Sequence, residues 1–169
     1  PRMVRSTKTL IFMSAELNVD GRCVMLANGV FKVMRGHASR KNGERSMQYR
    51  QLGRSGLKVS PLCLGTMMFG GPTDEATSSR IVDKARDAGI NFIDTADAYS
   101  NGTSEEVVGR AIAAQRQHWV LATKLANPMG SDPNRAGLSR RWMFQACDES
   151  LRRLGTDVID IYYLHKEDH

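Results

Sequence analysis

The sequence predicts an α/β fold built on a parallel sheet, and three observations carry that prediction. Four short apolar stretches alternate with three amphipathic helical stretches between residues 61 and 164, a pattern typical of repeated βα units. The first stretch leads into Gly65-Thr66-Met67-Met68-Phe69-Gly70-Gly71, which matches neither glycine fingerprint of nucleotide-binding doubly wound folds. Reactive polar residues close the later stretches, as they do in a (β/α)8 barrel. The barrel is therefore favoured, and the doubly wound sheet is the alternative.

The first elements along this body are a hairpin, a strand and a helix. Gly53-Arg54-Ser55-Gly56 lies within residues 48–60 and has the turn-rich spacing of a small hairpin. Residues 61–65 form a short apolar strand. Thr73 is predicted to cap a helix with acidic residues in its first turn, and Gly89 stands where a C-terminal glycine stop belongs.

The strand and helix signals then repeat. A capping box opens the second helix, and a serine opens the third helix before a glycine ends it. The predicted elements are, in order, a strand at 91–94, a helix opened by Thr103-Ser104-Glu105-Glu106, a strand at 119–124, a helix from Ser139 to Gly155 and a strand at 158–164. The third helix is expected to bury its stripe of Met143, Cys147, Ser150, Leu151 and Leu154.

The basic charge of the chain is concentrated in residues 1–46. The chain has 24 Lys+Arg against 18 Asp+Glu, and nine of the basic but three of the acidic residues precede Met47. Basic extensions bind nucleic acid or act as transit peptides, but this one shows no sustained periodicity. We therefore expect a flexible, poorly structured basic leader at 1–46, a folded domain at 47–169 and no nucleic-acid partner. A nucleic-acid-binding arm is the remote alternative.

The composition excludes several other classes of protein. With 41% apolar and 25% charged residues, the chain is of the ordinary globular type. Its longest membrane candidate, Leu10-Ile11-Phe12-Met13, is far shorter than the roughly 18 residues that a spanning helix needs. Cys23, Cys63 and Cys147 are far apart and lack metal-ligand spacing. They are predicted to be reduced thiols of a cytoplasmic protein without a metal site.

Four polar residues lie at or just after the ends of the later strands. Asp94 ends the second strand, Lys124 ends the third, His165 follows the fourth, and Tyr99 lies in the loop after the second. The carboxyl ends of parallel strands share one edge, so these side chains are expected to converge. Each alone has an ordinary structural explanation, such as a lysine reaching solvent. Together they suit proton donation to a carbonyl oxygen, because an ammonium stabilises a phenolate and an imidazole can orient the oxygen.

Four ordered motifs in the body resemble the aldo-keto reductases. They are Gly89-Ile90-Asn91-Phe92-Ile93-Asp94-Thr95-Ala96-Asp97-Ala98-Tyr99, Ser104-Glu105-Glu106-Val107-Val108-Gly109, Ala122-Thr123-Lys124 and Asp160-Ile161-Tyr162-Tyr163-Leu164-His165. The resemblance covers about Met47 to the C-terminus and is closest to the bacterial and potassium-channel β-subunit-like branch. It implies the N-terminal half of a (β/α)8 TIM barrel, about four βα units, with the hairpin closing the bottom of the barrel.

The resemblance also implies an activity, which is the reduction of an aldehyde or ketone to an alcohol by NADPH. The implied catalytic tetrad is Asp94, Tyr99, Lys124 and His165, with Tyr99 as the general acid. Gly65, Thr66 and Met67, together with Asp94, are implied to lie beside the nicotinamide. The expected partner is a small-molecule carbonyl substrate. A non-catalytic module with the same fold, which senses the cofactor or regulates another protein, is the alternative.

The body is shorter than a complete barrel of this type. Residues 47–169 are 123 residues, whereas such barrels take about 200–250 or more. We therefore expect a fragment or truncated form with low or no activity and weak NADPH binding. Its exposed half-barrel edges are expected to favour self-association.

Overall fold

The computed structural model describes the backbone of residues 2–6, 10–19, 22–32 and 47–168, and the side chains of 47–168. The chain divides into two compact units, Pro1–Arg45 and Ser46–His169.

The first unit contains an antiparallel sheet in the order β1-β2-β3, whose strands are β1 (Arg2–Ser6), β2 (Leu10–Val19) and β3 (Arg22–Lys32). These strands differ from the expected poorly structured leader. The β2–β3 pairing runs from Leu10 opposite Lys32 to Val19 opposite Arg22. The sequence between them is Asp20-Gly21, and an Asp-Gly pair between two apolar runs is a hairpin signal.

The second unit begins with the predicted hairpin. Its strands β4 (Arg50–Gln51) and β5 (Lys58–Val59) pair antiparallel. The hairpin is tied to the chain just before the second parallel strand, because the Tyr49 hydroxyl donates to the Gly89 carbonyl at 2.9 Å. The Asn91 side-chain oxygen accepts from the Ser60 amide at 2.7 Å.

A parallel sheet forms the centre of this unit. Its strands are β6 (Leu64–Gly65), β7 (Phe92–Asp94), β8 (Val120–Leu125) and β9 (Ile161–Leu164), in the order β6-β7-β8-β9. The register places Gly65 opposite Asp94, Asp94 opposite Ala122 and Ala122 opposite Ile161. Neighbours in sequence are thus neighbours in space, and all four strands end at one edge.

The described part of this unit has three α-helices, α1 (Glu75–Asp87), α2 (Thr103–Ile112) and α3 (Arg140–Leu154). Two short 3-10 segments, Tyr99–Gly102 and Ala113–His118, flank α2. Residues of the two central strands are fully buried, for example Ile93 of β7 and Leu121 of β8. Leu125 and Trp142 form a buried cluster between β8 and α3. None of the described helices has the length and apolar character needed to cross a membrane.

The helix boundaries agree with the sequence in part. Ser139 caps α3, and Gly155 ends it with a φ of 61°. However, α1 is capped by Asp74, whose side chain accepts from the Thr77 amide, and not by Thr73. The Thr73 amide donates to the Met68 carbonyl instead. Thr73 therefore belongs to the loop before the helix.

Helices α2 and α3 pack so closely that a side chain at Gly109 has no room. A Cβ atom built on Gly109 would lie 2.3 Å from the Leu154 carbonyl oxygen. We therefore expect Gly109→Ala to lower the free energy of unfolding by about 1–3 kcal/mol, the usual cost of overpacking, as measured by urea denaturation.

The matched control is Gly56→Ala, because a Cβ atom there would meet nothing within 4 Å. It should change stability by less than about 0.5 kcal/mol. Equal stability of the two variants would contradict the close helix contact.

Candidate active site

The carboxyl edge of the parallel sheet gathers the predicted site residues. Asp94 is the last residue of β7, and Lys124 lies one residue before the end of β8. His165 follows β9 directly. On β8 and β9, Lys124 is in register with Tyr163. The sheet therefore delivers a carboxylate, an ammonium and an imidazole to one edge, as the sequence predicts.

Lys124 is the centre of the hydrogen-bonding cluster. Its ammonium Nζ donates to Asp94 Oδ2 at 2.7 Å, to the Thr95 carbonyl at 2.7 Å and to the Tyr99 hydroxyl at 3.0 Å. An ammonium has three protons, so each proton has an oxygen partner. The Lys124 side chain is 14% exposed. This charge is therefore fixed in place against the phenol oxygen.

Tyr99 is positioned by an unusual backbone segment. The next three residues, Ser100, Asn101 and Gly102, have φ values of 46°, 54° and 94°. Left-handed backbone is uncommon for residues other than glycine and costs free energy unless surrounding contacts hold it. Here the Ser100 hydroxyl donates to the Phe69 carbonyl at 3.1 Å. The tight turn places Tyr99 immediately before α2.

His165 completes the cluster from the other side. Its backbone amide donates to the Leu125 carbonyl at 2.8 Å, and its ring meets the Tyr99 ring edge-on, with centroids 5.7 Å apart. Asn127 Nδ2 lies 3.1 Å from the ring nitrogen Nδ1. Burial and the positive charge of Lys124 lower the pKa of His165. Both effects favour the neutral imidazole.

The residues expected beside the nicotinamide have different surroundings. Gly65 lies opposite Asp94 in the sheet register. Thr66 is fully buried, and its side-chain hydroxyl donates to the Asp94 carbonyl at 3.0 Å and lies 3.2 Å from the Ser104 hydroxyl. Met67 is 60% exposed. The Thr66 side chain is therefore committed to the protein interior, while Gly65 and Met67 are accessible.

An open cavity of about 560 Å³ lies over the sheet face that the helices leave uncovered. Its wall combines polar Asp94, Lys124 and His165 with apolar Phe92, Tyr163 and Leu164. Tyr99 is not one of these wall residues, and its hydroxyl meets the site through Lys124. A Cβ atom at Gly65, also in the wall, would meet nothing within 4 Å. The open surface at Gly65 lies beside the Asp94 carboxylate and next to apolar side chains. A surface of this kind fits a flat heterocycle with a polar edge.

Two buried residues of α2 support the site and were not found from the sequence. The Ser104 hydroxyl donates to the Thr66 carbonyl at 2.8 Å and lies 3.1 Å from the Thr95 hydroxyl. The carboxylate of Glu105 accepts from the hydroxyl of Thr123, the residue before Lys124. These residues had suggested a capping box, but the N-cap is Gly102 and makes no side-chain cap.

Asp97 is a buried carboxyl close to this support. Both of its carboxyl oxygens are buried, without a hydrogen-bond partner among the residues described. Burial, and next the negative charge of Glu105, raise the pKa of Asp97 from 3.8 to about 6. Because the folded state holds this proton more tightly than the unfolded chain does, the stability it contributes is full below about pH 4 and is lost as the pH rises through about 6.

We therefore expect Asp97→Asn to remove part of the pH dependence of stability, since an amide does not titrate in this range. The measurement is urea unfolding at about pH 4.5 and about pH 7.5. The free energy of unfolding of the variant, relative to that of the wild type, should be greater at the higher pH than at the lower pH. Asp157→Asn, at an exposed position, is the matched control. An unchanged difference between the two pH values in Asp97→Asn would contradict the assignment.

The fold and the site define a class of protein, namely (β/α)-barrel proteins whose polar site lies at the carboxyl ends of the strands. A sequence model described as "Aldo/keto reductase family" matches residues 61–169. The chain belongs to the aldo/keto reductase family.

Individual relatives agree with this assignment. The chain is 46% identical over 134 residues to the uncharacterized oxidoreductase YrpG of Bacillus subtilis, covering 72% of this chain and 41% of that protein. It is 41% identical over 126 residues to a probable voltage-gated potassium channel subunit beta of Oryza sativa subsp. japonica, covering 72% of this chain and 38% of that protein. The chain thus spans about two fifths of the length of these relatives.

A solved structure supports the fold assignment. The holo form of an aldo-keto reductase from Bacillus halodurans matches with a TM-score of 0.62 and 43% identity, over 70% of this chain and 40% of that one. The expected fold class, an N-terminal portion of a TIM barrel, is confirmed.

Proposed function

We propose that the protein reduces a small aldehyde or ketone to an alcohol with hydride from NADPH and a proton from Tyr99, at the low turnover expected for four βα units. The observation that carries the proposal is the Lys124 ammonium, which donates at once to Asp94 and to the Tyr99 hydroxyl. During the reaction, the adjacent ammonium would stabilise the phenolate that forms as the phenol gives its proton to the substrate.

Each site residue has a separate role in this proposal. NADPH, when bound, supplies the hydride that adds to the carbonyl carbon. The Tyr99 Oη–H gives its proton to the carbonyl oxygen, and the phenolate left behind is stabilised by Lys124 until water returns the proton. Asp94 accepts a hydrogen bond from the ammonium and so helps to direct it at the phenol. His165 donates a hydrogen bond that orients the substrate oxygen.

The cofactor assignment rests on the family and on the cavity. We assign the nicotinamide to the floor formed by Gly65 and Asp94, with Met67 and the backbone of Thr66 beside it. The accessible glycine and the apolar wall support this assignment. The choice of NADPH over NADH, a cytoplasmic location and self-association through strand edges remain predictions.

The experiment follows the hydride directly. The protein is incubated with an aldehyde and NADPH carrying deuterium at the transferred position of the nicotinamide, and the alcohol is examined by mass spectrometry. One deuterium per alcohol, formed as one NADPH is consumed, is the expected result. Oxidation of NADPH at the same rate without aldehyde would contradict the proposal.

The non-catalytic alternative is not favoured. The four polar residues of the site are all present and converge on one edge, and the relatives include a protein named as an oxidoreductase. A protein that binds NADPH but forms no alcohol from any aldehyde or ketone tested would restore the alternative.

A further inference from the structure

We propose that Asn127 is a positioning residue that sets the tautomer of His165, so that the ring presents an Nε2–H donor to the substrate oxygen. The part concerning substrate rests on the proposed function, whereas the tautomer is a property of the protein alone. Asn127 lies in the loop after β8, three residues beyond Lys124.

The chemistry of the contact determines the tautomer. Asn127 Nδ2 lies 3.1 Å from His165 Nδ1. An amide nitrogen carries two protons and accepts nothing, so Nδ1 must be the acceptor and bear no proton. A neutral imidazole has its proton on one nitrogen only, and here that nitrogen is Nε2. The opposite tautomer would aim a lone pair at the substrate oxygen.

The backbone holds the two side chains together. The β8–β9 ladder pairs Leu125 with Leu164, and the His165 amide continues it by donating to the Leu125 carbonyl at 2.8 Å. The chain then turns at Ala126, whose φ of 112° is unusual for a residue with a side chain. The Ala126 carbonyl accepts from the Gly137 amide at 2.9 Å. Asn127 is thus placed beside the imidazole by the sheet and by its own loop.

The electrostatic surroundings of the ring favour the neutral form that this contact requires. The positive charges of Lys124 and Lys166 oppose protonation of His165, whereas Asp94 favours it. The Tyr99 ring covers one edge. An imidazolium carries protons on both nitrogens, and its Nδ1–H would point at the Asn127 amide protons. Asn127 therefore opposes both the wrong tautomer and the charged ring.

The variant Asn127→Asp tests this assignment because it keeps the shape of the side chain and replaces the donor by an acceptor. The protein is labelled with ¹⁵N-histidine, and two-bond proton–nitrogen correlation spectra identify the protonated nitrogen of each ring. The chain has four histidines, and the loss of one signal set in His165→Gln assigns the signals. We expect Nε2–H in the wild type and Nδ1–H in Asn127→Asp. The midpoint of the His165 titration should also move to higher pH in Asn127→Asp, because the new carboxylate stabilises the charged ring.

Two further variants separate the tautomer effect from damage to the fold. Asn127→Ala removes the donor without adding an acceptor and should give a mixture of both tautomers. Asn134→Asp adds the same charge to the exposed part of this loop and should leave the His165 signals as in the wild type. A wild-type ring protonated at Nδ1, or a tautomer that does not respond to either change at residue 127, would overturn the proposal.

Turnover provides the second readout. Asn127→Asp should lower kcat at least tenfold with little change in the KM for NADPH, because a histidine held in the wrong tautomer loses its hydrogen-bonding role. If the tautomer reverses while no variant, including the wild type, reduces a carbonyl, then the proposed function fails and the tautomer assignment stands. If the tautomer reverses and kcat is unchanged, then the donor role of Nε2 is wrong.

Discussion

Tyr99→Phe is expected to lower reductase turnover by about 10²- to 10⁴-fold, the range contributed by a positioned general acid. The change removes the Tyr99 hydroxyl, which is the only group that Lys124 contacts in the described site and that can give a proton to the substrate. The benzene ring remains and still packs edge-on against His165. Affinity for NADPH, measured by quenching of protein fluorescence, should therefore stay within about twofold of the wild type.

The control for this substitution is Tyr49→Phe, which makes the same chemical change elsewhere in the unit. The Tyr49 hydroxyl donates only to the Gly89 carbonyl at the hairpin, so this variant should keep its turnover. A Tyr99→Phe protein that reduces the carbonyl at the wild-type rate would show that the proton comes from another group, and the proposed mechanism would be wrong.

Arg153→Leu is expected to cause the largest loss of stability. Arg153 Nε donates to Glu105 Oε2 at 2.7 Å, and the Glu105 side chain is fully buried. Removing the guanidinium leaves a buried carboxylate that still accepts from the hydroxyl of Thr123. Breaking one partner of such a pair costs about 3–5 kcal/mol, which urea unfolding followed by circular dichroism measures.

The double variant Glu105→Leu with Arg153→Leu distinguishes the unpaired charge from lost packing. Replacing both partners by apolar side chains is often nearly neutral, so the double variant should recover most of the loss. Arg152→Leu, at the exposed neighbouring position, should change stability by less than about 0.5 kcal/mol. A double variant as unstable as Arg153→Leu would show that the charge is not the cause.

The position of the site was predictable because it depends on strand order and strand ends alone. Parallel strands that follow one another in the sheet end at one edge, so residues that close successive apolar runs must converge there. Asp94, Lys124 and His165 satisfy that condition directly. Tyr99 lies on a loop, so strand periodicity does not place it; its role was indicated by the chemistry of the four polar residues together and by the family resemblance.

The supporting contacts were not predictable, since they depend on tertiary packing. The Thr103-Ser104-Glu105-Glu106 motif matches a capping box. However, Ser104 bonds to the residues directly after β6 and β7, and Glu105 bonds to β8 and α3. The sequence of such a motif is the same whether its side chains cap the helix or bond to neighbouring elements. Similarly, α3 buries Trp142 and Ala146 more fully than the expected Met143 and Cys147. Ser150 and Leu154 of the expected stripe are buried as predicted. The stripe is therefore shifted by one residue only in the first half of α3, where the bulky indole packs in the cluster with Leu125.

The left-handed backbone after Tyr99 restricts which amino acids this position of the chain tolerates. If codons 100, 101 and 102 were randomised and active clones selected, the survivors should be rich in glycine, asparagine and aspartate, the residues that adopt such angles most readily. Valine and isoleucine should be nearly absent, because branching at Cβ makes that conformation a genuine outlier. Genetic variation among active proteins would thus be narrow at these three codons, although only Asn101 of the three residues is exposed.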